Sequence, residues 1–154
     1  MHVIVVIDLA IAGFLVGANV WFFFIQSPLL ITIMGREKFV PIQMKLTKLL
    51  FKSLSIAAVL LVTLAWFSGG AVAILGAVFS AVSALIAHFY VIPQALKAGG
   101  KGRAETVAKG GDHSVAKFAS EGSGPSAAFW HRTVVVFVVL IIIGALANIS
   151  GTVS

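Results

Sequence analysis

Residues 3–25 read VIVVIDLAIAGFLVGANVWFFFI, and this stretch decides the fold. Its 23 residues carry one formal charge, Asp8. As a helix rising about 1.5 Å per residue they extend roughly 34 Å, enough to cross the hydrocarbon of a bilayer. No basic stretch precedes the run and an acid sits inside it, so it does not read as a cleavable signal.

Three more apolar runs follow. The second spans about 46–67, its first turns carrying lysines that lift to the surface. The pair Gly69-Gly70 makes a tight turn. The third spans about 71–92 and ends near Pro93, and the fourth spans about 129–149. The expected fold is all-α, an integral membrane four-helix bundle forming one transmembrane domain. Composition agrees: of 154 residues 60% are hydrophobic and 10% charged, and mean hydropathy is +1.09. Soluble domains carry about 25% charged residues. The bilayer is therefore the first partner, with other membrane subunits or a second copy of the chain as further ones. The chain has no cysteine, which removes disulfides, thiolate metal sites and cysteine nucleophiles.

The net charge of +6 does not imply nucleic acid, and no nucleic-acid partner is expected. In a membrane protein basic residues mark the cytoplasmic side. Arg36, Lys38, Lys45, Lys48 and Lys52 fall between the first and second runs. Lys97, Lys101, Arg103, Lys109, Lys117 and Arg132 fall between the third and fourth. These are all eleven basic side chains. Both connections lie on one face of a four-helix topology, so the bias predicts an N-out/C-out arrangement in the inner membrane with the polar loops cytoplasmic. Residues 97–128, rich in Gly, Ala, Ser and Lys, read as a flexible cytoplasmic segment, with a short surface helix near 112–120 as an alternative. Lys45, Lys48 and Lys52 share one helical face, where they either snorkel or bind lipid head groups.

Polar groups at membrane depth carry the functional signal. At about 100° per residue, Asp8, Asn19 and Gln26 fall on one stripe of the first helix. The stripe should face other helices, either as interhelical hydrogen bonding that fixes the bundle or as a polar pathway. His88 on the third helix and His131 at the start of the fourth come to similar depth near the cytoplasmic side. Two imidazoles from facing helices suit a haem or metal ion, with Gln26 as a supporting partner. The plainer alternative makes Trp130-His131-Arg132 an interfacial anchor and His88 a bundle hydrogen-bonder. Gly76, Ser80, Ala84 and His88, and likewise Gly13 and Gly17, recur at four-residue spacing and read as close-packing faces. No phosphate loop, dinucleotide fingerprint, nucleophile elbow or zincin motif is present.

The stretch FFFIQSPLLITIMGREKFVPIQMKLTKLLFKS (22–53), together with FWHRTVVVFVVLIIIGAL (129–146), resembles a small four-helix membrane family of unknown function related to copper-resistance D proteins. The resemblance implies Pro28, Phe39, Gln43 and His131 as marked positions, and a superfamily of suspected copper transporters and a haem-dependent enzyme. Two functions are expected: a non-enzymatic transporter-like or accessory subunit, or a membrane oxidoreductase that depends on a cofactor, haem or metal, held by His88 and His131.

Overall fold

The structure, a computed structural model, describes residues 2–98 and 127–154. It comprises four helices: α1 His2–Met34, α2 Arg36–Ser68, α3 Ala71–Ala98 and α4 Ala127–Val153. No strand occurs among the described residues. Each helix is long and apolar enough to span a bilayer. The outward faces are apolar, as at Phe89 (72% exposed) and Leu75 (68%). Such surface has no place in water but is at home against lipid tails. The protein is an integral membrane protein.

The helices run past the ends expected from sequence. The first continues from Ile25 to Met34 and the third from Ile92 to Ala98, each through a proline. A wider π turn precedes each proline: Trp21–Gln26 before Pro28, and Ala87–Val91 before Pro93. Proline lacks an N–H and crowds the carbonyl four residues back, and in membrane helices a local π adjustment absorbs this. Ser27 shows how the freed groups are used: its N–H and its Oγ both donate to the Phe22 carbonyl, the hydroxyl at 2.6 Å. The second helix likewise begins at Arg36 rather than Leu46, and the fourth covers 127–153 rather than 129–149. The segment expected to be flexible, with its alternative surface helix, lies almost wholly outside the described residues.

Gly35 alone separates α1 from α2, at φ 74°, a left-handed backbone that favours glycine. Gly69 and Gly70 join α2 to α3. The chain ends of α1 and α4 and the Gly69-Gly70 link thus lie at one end of the bundle. Lys38, Lys45, Lys48, Lys52, Lys97 and Arg132 lie toward the other.

The most extensive helix pair is α3 with α4. Gly76 and Gly144 face each other there with their backbones in direct contact, and Ala73, Ala77, Ser80, Ala81 and Ala84 are buried beside them. Small residues let membrane helices gain dispersion contact where the hydrophobic effect supplies none. The matching pattern on α1 does not pack within the bundle. A side chain at Gly13 or Gly17 would meet nothing within 4 Å. The buried positions of the first half of α1 are Asp8, Ala12, Leu15 and Asn19, and the two glycines sit about 140–180° away from Asp8, on the lipid side.

Candidate functional site

The interior of the bundle holds more polar side chains than its packing uses. Ser80 Oγ donates to the Ile141 carbonyl of α4 at 3.1 Å. Ser55 Oγ donates to Phe51 within α2 at 2.8 Å and to Ala84 of α3 at 3.2 Å. These hydroxyls act as interhelical glue and leave no buried oxygen unpaired among the described residues.

Asp8, Asn19 and Asn148 behave differently. All three are fully buried. Thr152 Oγ1 donates to Asp8 Oδ2 at 2.9 Å, tying α4 to α1. Asn148 Nδ2 donates to the Ala73 carbonyl at 3.3 Å, tying α4 to α3. Asn19 Nδ2 donates to the Leu15 carbonyl at 2.7 Å within its own helix. In each case one oxygen remains: Asp8 Oδ1, Asn19 Oδ1 and Asn148 Oδ1 are buried without a hydrogen-bond partner among the described residues. Asn148 precedes Thr152 by four residues and so stands on the same face of α4, about 6 Å deeper. Asp8 and Asn148 therefore lie near one level. Sequence reasoning found the α1 members of this set and missed Asn148 and Thr152. A lone asparagine inside the apolar run of α4 was the available signal, of the same kind that marked Asn19.

Gln26 is half-buried at the end of the first π turn and makes no side-chain hydrogen bond among the described residues. Its neighbour Ser27 takes the structural part there. Gln43 Nε2 donates to Ser27 Oγ at 2.7 Å, while Gln43 Oε1 is buried and unpartnered among the described residues. Of the positions marked by resemblance, Gln43 and the buried Phe39 lie at this α1–α2 junction, with Pro28 exposed beside them.

The two histidines are not brought to one site. His88 lies in the second π turn and lines a groove with Lys45, Lys48, Leu49 and Lys52 of α2. Tyr90, two residues on and so on the other side of α3, is the residue that meets Trp130 of α4, at a ring separation of 6.1 Å. His131, next along α4, is exposed. Among the described residues no group of three or more His, Cys, Asp or Glu stands together as metal ligands do.

A protein-family model described as Domain of unknown function (DUF4149) matches residues 10–104, well over half the chain. The match takes in Asn19, Gln43, the three groove lysines and His88, and stops short of α4. No curated protein and no solved structure matches the chain.

Proposed function

The chain belongs to the DUF4149 family, a domain of unknown function, and from there we propose that it is a non-enzymatic, transporter-like membrane protein whose interior takes a small hard cation. One observation carries this reading: three fully buried side chains, Asp8, Asn19 and Asn148, each keep an oxygen that nothing among the described residues satisfies. Side chains that only fasten helices are used up in doing so, as Ser55 and Ser80 are. A buried acceptor left unpaired costs about 1–3 kcal/mol, so its retention asks for a use. Carboxylate, carboxamide and hydroxyl oxygens are hard donors, suited to Na⁺ or a proton rather than to soft metals. The resemblance to copper-resistance D proteins would make copper the cargo. A chain without cysteine offers copper little here, so that part of the resemblance is not carried into the proposal.

The test is flux. Purified protein in liposomes under an imposed potential should pass Na⁺ or H⁺ well above protein-free liposomes, with ²²Na⁺ uptake and an internal pH dye separating the two ions. Silence in both channels overturns the reading in favour of an accessory subunit. The cofactor-dependent oxidoreductase has no comparable support, because His88 and exposed His131 face different surroundings.

The same proposal includes orientation. The basic end faces the cytoplasm and both chain ends face outward, supported by the gathering of basic side chains at one end. A tag after Ser154 should be reached by protease in intact cells. Protection there with exposure in inverted vesicles reverses the topology.

A further inference from the structure

The groove between α2 and α3 has chemistry of its own, independent of the interior oxygens. Lys45, Lys48 and Lys52 line it from α2 and His88 from α3, with Leu49 between the lysines. Its volume is about 510 Å³, inside the range of small-ligand sites, roughly 300–1,000 Å³. The three ammonium groups make no ion pair among the described residues. His88 Nδ1 is buried and unpartnered among the described residues, which leaves Nε2 as the nitrogen available to a ligand.

Depth decides what such a ligand is. Counted from the far end of the bundle, Lys52 lies about 24 Å along α2 from Ser68, and His88 about 26 Å along α3 from Ala71. Lys48 and Lys45 follow at about 30 and 35 Å. With a hydrocarbon core about 30 Å thick, the groove straddles the level where tails give way to head groups. Leu49 is 63% exposed, and Ile56, two turns along the same face of α2 toward the membrane centre, is 55% exposed. An apolar track thus leads away from a cationic end.

We propose that this groove is a binding site for one anionic phospholipid. Its phosphate is held by Lys45, Lys48, Lys52 and the His88 imidazole, and its acyl chain lies along Leu49 and Ile56. Lysine ammoniums supply charge and three donors each, and the imidazole supplies one directed N–H. This exceeds the diffuse attraction of a polybasic surface, because residues from two helices converge on one concave place.

Native mass spectrometry of the purified full chain in detergent tests it, with phosphatidylglycerol and phosphatidylcholine as added lipids. Wild-type protein should retain one phosphatidylglycerol through delipidation and exchange phosphatidylcholine freely. The triple variant Lys45→Gln/Lys48→Gln/Lys52→Gln should bind phosphatidylglycerol at least about tenfold more weakly. His88→Gln alone should lose a smaller factor. A matched triple variant, Lys38→Gln/Lys97→Gln/Arg132→Gln, removes the same charge outside the groove and should bind as wild type. All six changes fall on exposed side chains, so folding is not at stake. Equal losses in both triple variants would reduce the site to net charge and overturn the proposal. Displacement of the lipid by an equal concentration of inorganic phosphate would also overturn it, reassigning the groove to a soluble anion.

Discussion

Replacing Gly76 with valine is expected to cost about 3 kcal/mol or more, the largest loss of stability for any single change on α3. A Cβ at this position would stand 2.5 Å from the Asn148 nitrogen, 2.7 Å from the Gly144 carbonyl oxygen and 2.9 Å from the Ala147 carbonyl carbon. All three are backbone atoms, so no side chain can swing aside. The helices must part, and the parting strains the Asn148 bond to Ala73 and the Ser80 bond to Ile141 that flank the crossing. Thermal unfolding in detergent, followed by circular dichroism, reads the effect. Gly13→Ala is the control, since open space surrounds that position. It should unfold no earlier than wild type. A Gly76→Val protein with an unshifted midpoint would show that α3 and α4 do not meet as described.

Asp8→Leu is expected to abolish cation flux while leaving the protein at least as stable as before. The substitution removes the bond from Thr152, worth about 1.5–3 kcal/mol where a charged group is the acceptor. It also removes a buried carboxylate oxygen that lacks a partner among the described residues, and with it a penalty of the same order. Thr152 is half-buried in the last turn of α4, where its hydroxyl can turn to a carbonyl one turn back. Leucine meanwhile suits the apolar surroundings of Ala12 and Leu15. The two terms cancel to within about 1 kcal/mol, whereas flux through a site lacking its one carboxylate should fall at least about tenfold. Liposome flux and the unfolding midpoint, measured on the same preparation, give opposite answers for a structural and a transport role. A large drop in midpoint with flux per folded molecule intact would make Asp8 a fastener. Loss of activity with gain of stability is the signature of a site kept for its use.

The four helices were legible because each apolar run is long enough to cross a bilayer and is bounded by glycine or by charge. The burial of Asp8 and Asn19 was legible too, since eleven residues make almost a whole number of helical turns. Helix ends were less so. Pro28 and Pro93 read as stops under rules drawn from water-soluble helices, whereas in lipid the backbone has nowhere else to satisfy its groups and continues through a π turn. Asn148 escaped notice because its importance rests on the Ala73 carbonyl, which depends on the α3–α4 register set by Gly76 and Gly144. The groove could be half read. Lys45, Lys48 and Lys52 share a face in any helix of this sequence. That His88 stands level with them across a second helix follows from how far each helix lies from the Gly69-Gly70 link, and so from the bundle as a whole. His131 illustrates the opposite case: similar depth to His88 along the chain, but a different side of the bundle.

The Asp8–Thr152 bond joins residues 144 positions apart. During synthesis Asp8 enters the membrane early, and its partner leaves the ribosome last of all the residues that fasten the helices. α1, α2 and α3 follow one another with links of one and two residues, so they can insert as a zigzag while translation continues. The face of α3 built on Gly76 stays open throughout, until α4 arrives to cover it. For that interval the nascent protein shows the bilayer a carboxylate without its hydroxyl and a small-residue face without its neighbour. Both are marks by which membrane quality control distinguishes an unfinished protein from a finished one. Closure by the final helix removes both in a single step, so completion of the chain and release from surveillance coincide.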